Sequence, residues 1–480
     1  MSEGFEKVIG LEIHVELKTK TKIFCGCDAS FGGEPNTRIC PVCTGAPGAL
    51  PVLNKKVVEY ALAVCLSLNC DISRVSRFDR KNYFYPDNPQ NYQISQLYSP
   101  IGTNGFLDIA SDVSETGTKR VRIHELHMEE DAGKLIHESG TTKIDYNRSG
   151  VPLIEIVTEP DLSSADEVIS FLKKLRTTLI YLGVSDVKMN EGSMRVDVNL
   201  SLKRSGSDEL GCRTEMKNLN SFKAIAHAIE NEAKRQADIL LDGRTIELET
   251  RRWDDERQTS TLMRSKEDAR DYRYFPDPDL TPLMISDEMI SAVRESLPEL
   301  PDRMAKRFRD TYHLSEYDTD QLISEPALAR LFEETCALGS TPKQVANRLM
   351  SDAMRLLNER GESSDSIRIT PEELHSLTKL CEKHVINSTT AKEIFDILYD
   401  EPLDVRKYVE EHGLSMMSDH GKLQELAKRV MEENPKSVSD YRSGKEKAIG
   451  FLIGQMMKAS RGQADPELAR DILINELRIQ

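Results

Sequence analysis

Acids, an imidazole and paired thiols stand at spacings that could do chemistry together within the first third of the chain. In Ile9–Leu17, IGLEIHVEL, alternation puts Ile9, Leu11, Ile13, Val15 and Leu17 on one face of a strand and Glu12, His14 and Glu16 on the other. A second acidic cluster lies in HELHMEEDAGK, His124 to Lys134, and a third acid, Glu155, stands inside the apolar run Val151 to Val157. A carboxylate among Leu153, Ile154, Ile156 and Val157 is costly unless a cation or a donor meets it. Hard oxygen ligands of this kind suit Mg, which holds phosphates during phosphoryl transfer. His14 fits Mg poorly, so it reads either as a contact to a bound water or as the mark of a site that also accepts Mn or Zn. The same alternation is satisfied by a half-exposed strand that shows its polar side to water.

Cys25-Gly-Cys27 and Cys40-Pro-Val-Cys43 place two thiol pairs on loops rich in Gly and Pro, joined by a short arm that can fold the pairs around one ion. Four thiolates suit tetrahedral zinc, and with no open position implied the site reads as structural. Four unrelated buried thiols, or a redox pair, are the alternatives. Nine cysteines in a chain with no signal-peptide start favour metal ligation over disulfides.

Two further segments are ambiguous on their own. FDRKNYFYPDNPQNYQISQ, Phe78 to Gln96, interleaves Arg80 and Lys81 with Tyr83, Phe84, Tyr85 and Tyr92, a mixture that can clamp a phosphate backbone and stack a splayed base. It can equally be a loop packed on the core by its own aromatics. The strand Arg195 to Leu202 alternates Arg195, Asp197, Asn199 and Ser201 against apolar residues, and those polar side chains either line the same pocket or face water. DYRYFPDPD, Asp271 to Asp279, partly echoes the aromatic loop but is too short to count as a repeat. Near the C terminus Lys447, Lys458 and Arg461 can form a local positive patch, although a solvated helix face is the commoner meaning of such residues. No GxxxxGK[ST] loop, Ser-rich amidase signature or Cys-His glutaminase signature can be assembled. If ATP is used, carboxylate-held metal must do what a phosphate-binding loop does elsewhere.

The elements that must position these groups divide the chain. Up to about residue 295 short alternating strands mix with isolated helical runs; beyond the Pro-punctuated stretch Leu297 to Asp302 the pattern is almost purely helical. Thr341-Pro342 with Gln344, Thr370-Pro371 with Glu373, and Thr390 with Glu393 each read as a capped helix start, and Asp465-Pro466 opens a last helix. The expectation is an α+β chain with a mixed-sheet domain over 1–295, a helical domain over 296–408 and a small helical tail over 409–480. At 480 residues, 39% hydrophobic and 30% charged, the composition is that of a soluble globular protein. No stretch approaches the apolar length of a bilayer crossing, so no membrane role is expected and the chain reads as cytosolic. The net charge of −16 argues against unspecific nucleic-acid binding while leaving room for a local basic face.

VIGLEIHVEL, CPVCTGAPGALPVLN, FDRKNYFYPDNPQNYQISQ, HMEEDAGK, PLIEIVTEPDL and EMKNLNSFKAI, in that order, closely resemble the B-subunit family of the tRNA-dependent amidotransferases, the GatB family. The match resumes in KAIGFLIGQMMKASRGQADPELARDIL, which looks like the family's tRNA-contacting end. The resemblance implies a cradle domain, a helical domain and a tail, and a ligase that uses ATP and Mg to phosphorylate the side-chain carboxylate of Glu-tRNA(Gln) or Asp-tRNA(Asn). Ammonia from the amidase (glutaminase) partner, the family's A subunit, then displaces the phosphate, while a small third partner, the C subunit, binds the two together. By matching motifs, Glu12, His14, Glu130 and Glu155 correspond to the family's Mg-binding group, with Glu130 chosen over Glu129 on the resemblance alone. Lys81 would lie where ammonia arrives, Cys25, Cys27, Cys40 and Cys43 would hold zinc, and Arg80, Tyr83, Tyr85, Lys458 and Arg461 would meet the misacylated tRNA. Two rivals remain: a purely structural tRNA-binding protein with solvated acids, and a metal-dependent hydrolase built on His14. The residues do not say which misacylated tRNA is the substrate.

Overall fold

The alternating strand at the N terminus, Phe5–Glu16, lies fifth in a nine-stranded sheet ordered Thr259–Ser265, Glu249–Asp254, Thr214–Lys217, Met194–Arg204, Phe5–Glu16, Pro152–Thr158, Thr118–Glu130, Gly102–Ala110, Asp71–Ile72. This computed structural model describes residues 4–265, 271–416, 420–460 and 463–479. The sheet is antiparallel except where Thr214–Lys217 runs parallel to Glu249–Asp254, so it is mixed as expected.

Ile9, Leu11, Ile13 and Val15 are buried on one face, in one core with Phe171, Leu172 and Leu175 of the helix Ala165–Tyr181 and Ile225, Ala228 and Ile229 of the helix Phe222–Leu241. Ser164 and Ser221 cap these helices by accepting from the N–H groups of Glu167 and Ala224, which fixes where each helix starts against the sheet. The helices therefore occupy the apolar face and leave Glu12, His14 and Glu16 on the other.

The chain separates into two compact units, Met1–Pro301 and Asp302–Gln480, dividing within the Pro-punctuated stretch. The second unit is helical and has two apolar cores, one built from Ala305 to Val409 and one from Leu423 to Leu477. Its helix starts only partly follow the expected capping. Thr370 forms the full reciprocal box with Glu373. Thr341 stands at a helix start, but its side chain makes no cap and its N–H donates to Glu382 instead. Thr390 is not a cap: Asn387 takes that role three residues earlier and accepts from the Thr390 N–H at 2.8 Å. Among the described residues no helix is long and apolar enough to cross a membrane.

One buried acid ties sheet and helix together in the first unit. Glu167 is 2% exposed and accepts from Ser111 Oγ at 2.7 Å, Lys119 Nζ at 2.8 Å, and both N–H and Oγ of Ser163. Burial alone would raise its pKa, but these donors outweigh it and hold the carboxyl below its usual value. Its contribution to stability is therefore present above the unfolded value of about 4.3 and lost as pH falls through the lower folded value. Glu167→Ala should cost about 2–3 kcal/mol at neutral pH, since charged acceptors leave orphaned donors behind. Denaturation followed by fluorescence of the lone Trp253 would read this, and the gap from wild type should narrow progressively as the pH falls below the unfolded value of about 4.3.

Candidate active site and metal centre

Strand register decides which polar residues meet. His14 pairs across to Glu155 on one side and to Arg195 on the other, and Glu155 pairs on to His127. Because directly opposed residues share a face, His14, Glu155, His127 and Arg195 form a row across four strands. Glu129, two residues beyond His127, shares that face. His14 Nε2 lies 3.3 Å from Glu155 and 3.6 Å from Glu129; His127 Nε2 lies 3.1 Å and 3.9 Å from the same two carboxylates. Ligand atoms of His14, Glu129 and Glu155 all fall within 4.8 Å of one another, close enough for one ion.

Two carboxylates this buried need cations. Burial works against the charge of His127, but Glu155, Glu125 and Glu129 more than offset it and lift its pKa to about 10. Burial likewise opposes charge on His14, which Glu155 and Glu129 nevertheless raise above its ordinary value. Glu155 is in turn held well below the usual carboxylate range, the two imidazoles overcoming its desolvation. Lys81 completes the group. Its Nζ sits 5.1 Å from the centroid of the Tyr272 ring, and despite burial the fields of Glu129 and Glu155 keep its pKa above the usual lysine value.

Glu12 belongs to a second cluster beside the first. It pairs with Asp197, and ligand atoms of Glu12, Asp197 and Glu215 also lie within 4.8 Å of one another. Lys217 makes ion pairs with Asp197 and Glu215, and Asn199 Nδ2 donates to Glu12 at 2.9 Å. Burial and then the neighbouring Glu155 raise the Glu12 pKa, so the two clusters feel each other. An all-oxygen set suits a hard cation such as Mg better than the imidazole-containing set does. A cavity of about 740 Å³ opens beside this cluster, lined by Arg195, Asp197, Lys217 and Arg252.

Glu130 does not join either cluster. It follows Leu126 and Met128 onto the opposite face, where it is 7% exposed and accepts from Gln90 Nε2 and from the Ile94 N–H. Burial raises its pKa to about 8. It lines a separate cavity of about 320 Å³ with Lys22, Cys25, Cys43 and Arg80. Of the four residues expected to share one cation, Glu12, His14 and Glu155 thus lie together on one face, divided between two clusters, and Glu129 stands where Glu130 was expected. The alternation Glu125, His127, Glu129 against Leu126, Met128, Glu130 carries that signal. Glu215 and His127 were not singled out from the sequence, and Asp197, left open there, faces the site.

The cysteines converge. Sulfurs of Cys25, Cys27, Cys40 and Cys43 all lie within 4.8 Å of one another, with Cys40 and Cys43 3.9 Å apart. Four sulfurs about 2.3 Å from one ion are about 3.8 Å apart in a tetrahedron, so the set fits a metal such as zinc.

Two family models match this chain: the GatB/GatE catalytic domain over residues 7–291 and the GatB domain over residues 330–477. The chain belongs to the GatB family. A protein of Agathobacter rectalis, named as the B subunit of an aspartyl/glutamyl-tRNA(Asn/Gln) amidotransferase, is 54% identical, over 99% of this chain and 100% of its own length. Proteins of the same name from Lachnospira eligens, 54% identical, and Caldanaerobacter subterraneus, 51% identical, each align over 98% of this chain and 99% of their own.

Other residues singled out in this GatB-family chain have mixed settings. Arg80 is bound within the chain, donating to Asp277 and Asp279 at 2.7 Å each, with its guanidinium 4.1 Å from the Tyr92 ring centroid. The cause is a small sheet in which Phe275 pairs with Arg80, so the DYRYFPDPD echo lies alongside the segment it resembles. Tyr83 packs edge-on to Tyr272 at 6.2 Å, whereas Tyr85 is 48% exposed. Lys458 is exposed in the last turn of the helix Ala448–Ala459, and Arg461 lies outside the described residues. Because the Asp277 carboxylate is fully buried against Arg80, Arg80→Ala should destabilise the first unit by about 3 kcal/mol, measurable by the same fluorescence-detected denaturation. Unchanged stability would mean that Arg80 is free for an external ligand.

Proposed function

We propose that the polar face of the sheet activates the side-chain carboxylate of Glu-tRNA(Gln), Asp-tRNA(Asn) or both with ATP, and hands it to ammonia. The observation that carries this reading is the pair of acidic clusters on neighbouring strands, flanked by Lys81 and by a cavity lined with Arg195, Lys217 and Arg252. Phosphoryl transfer between two anions needs little covalent help from protein and much positioning and charge neutralisation. Glu12, Asp197 and Glu215 would hold Mg, which when bound supplies that neutralisation at the triphosphate.

Arg195, Lys217 and Arg252 are suited to grip the phosphates, and Lys81 to orient the carboxylate or the incoming ammonia against Glu129 and Glu155. The buried setting helps keep water from the acyl phosphate before ammonia, released from glutamine by a separate amidase partner, reaches it. A small third partner joins the two, and the tail over 409–480, with Lys458 and Arg461, holds the tRNA. Cys25, Cys27, Cys40 and Cys43 form a structural zinc site that orders a loop-rich segment with little core of its own. The place of action is the cytoplasm, where the tRNA is charged.

In a reconstituted complex, Glu12→Ala, Glu129→Ala and Glu155→Ala should each lower ATP-dependent amidation by roughly 10²–10³-fold. Binding of tRNA and glutamine hydrolysis by the partner should persist. Full amidation in all three variants would leave only a structural tRNA-binding role, and phosphate or ester product formed without tRNA would indicate a hydrolase. Running the wild-type assay with each misacylated tRNA identifies the substrate. Arg252→Ala should raise the KM for ATP about tenfold, the loss of one charged hydrogen bond. Elemental analysis should find close to one zinc per chain, absent from Cys40→Ser; a folded wild-type preparation free of metal would refute the zinc site.

A further inference from the structure

Lys22 is one of the largest fully buried side chains of the molecule, with none of its surface exposed. An ammonium removed from water costs several kcal/mol unless an anion lies beside it. Among the described residues no carboxylate stands within ion-pair distance of Lys22. Its Nζ is instead 3.4 Å from Cys43 Sγ and 3.3 Å from the carbonyl oxygen of Tyr146. The anion that can account for this lysine is the thiolate set to which Cys43 belongs. Four thiolates around one divalent ion carry a net charge of −2, and one ammonium halves it.

We propose that Lys22 is an outer member of the metal centre: it donates to the Cys43 thiolate, offsets the charge of the four-sulfur set, and bolts that set to the turn before Glu155. The bolt is visible in the surrounding bonds. The Lys22 N–H donates to Cys27 O at 2.9 Å, the Ile23 N–H to Gly150 O at 3.0 Å, and Ser149 Oγ to Cys43 O at 3.0 Å. Gly150, at φ +81°, lets the backbone turn beside Lys22 and Cys43; a Cβ there would touch both at 3.5 Å. From Tyr146 to Gly150 the chain runs directly into Pro152–Thr158, the strand that carries Glu155. Lys22 is thus a positioning residue, touching neither substrate nor reacting atoms, and it links the thiols to the acidic face through covalent continuity of one turn. The inference rests on the zinc reading above.

The test uses the full chain. Lys22→Met keeps the length of the side chain and removes its charge and donor. It should release zinc to a chromophoric chelator about 10–100-fold faster than wild type, the usual penalty for losing an outer-sphere partner. With Co(II) substituted for zinc, the thiolate-to-metal charge-transfer band should move to longer wavelength in Lys22→Met, because a thiolate without its N–H donor gives up electron density more easily; a merely structural role would leave the band in place. Wild-type release kinetics with an unshifted band would overturn the proposal. Where Lys22→Met does not fold, amine acetylation of wild type read by peptide mass spectrometry decides: Lys22 should be protected with metal bound and modified after its removal. Equal modification in both states would refute the link. A wild-type chain without zinc sinks the zinc site itself, whereas a zinc-bearing wild type indifferent to Lys22→Met sinks only the part assigned to Lys22.

Discussion

Glu129 and Glu155 are carboxylates held a few ångströms apart inside a sheet, and the rest of the first unit is arranged around that electrostatic cost. Two imidazoles and a lysine supply the compensating charge, each coming from a different segment: His14 from the N-terminal strand, His127 from the strand of Glu129, and Lys81 from the small sheet with Tyr92–Ser95. Removing any one of them leaves like charges facing each other in a poorly solvated place. Such a cluster is expensive to keep for stability alone, which is the physical ground for reading it as a site where charge is handled.

The second acidic cluster lies on the neighbouring strands and is balanced differently. There an ammonium, Lys217, sits against two carboxylates, and an amide answers the third. One face therefore offers two positions of unlike chemistry, one mixing nitrogen with oxygen and one of oxygen only. A reaction that must bring a phosphate chain to a carboxylate can use that asymmetry, with the harder position for the polyphosphate and the other for the acid.

The sequence made faces legible and left neighbours illegible. Alternation told that Glu12, His14 and Glu16 share a side, because side-chain direction in a strand is a local property. It could not tell that His14 sits opposite Glu155 and Arg195, since register between distant strands depends on the whole sheet. The choice between Glu129 and Glu130 shows the difference: the alternation in HELHMEED already put Glu130 with Leu126 and Met128, yet only the paired strands show what Glu129 meets. The ion pairs of Arg80 were illegible for a related reason, its partners Asp277 and Asp279 being almost two hundred residues away. The clustered cysteines and the Thr370 capping box, whose partners lie close in sequence, were the easiest to read, and Thr390 lost its cap to Asn387, an equally good former a few residues earlier.

The position of Phe5–Glu16 in the middle of the sheet bears on how the protein is made. Of the nine strands of the sheet this one is made earliest, but one of its hydrogen-bonded neighbours is Met194–Arg204. At synthesis rates of about 5–20 residues per second, Ile9, Leu11, Ile13 and Val15 must wait roughly ten to forty seconds for that partner. Until its other neighbour, Pro152–Thr158, emerges, this strand has unpaired edges on both sides, and one edge stays open until Met194–Arg204 follows, the form most prone to pair with another nascent chain. The charged and histidine residues interleaved along it keep the waiting strand from being uniformly sticky, so the alternation that gives the sheet its two faces also acts during synthesis.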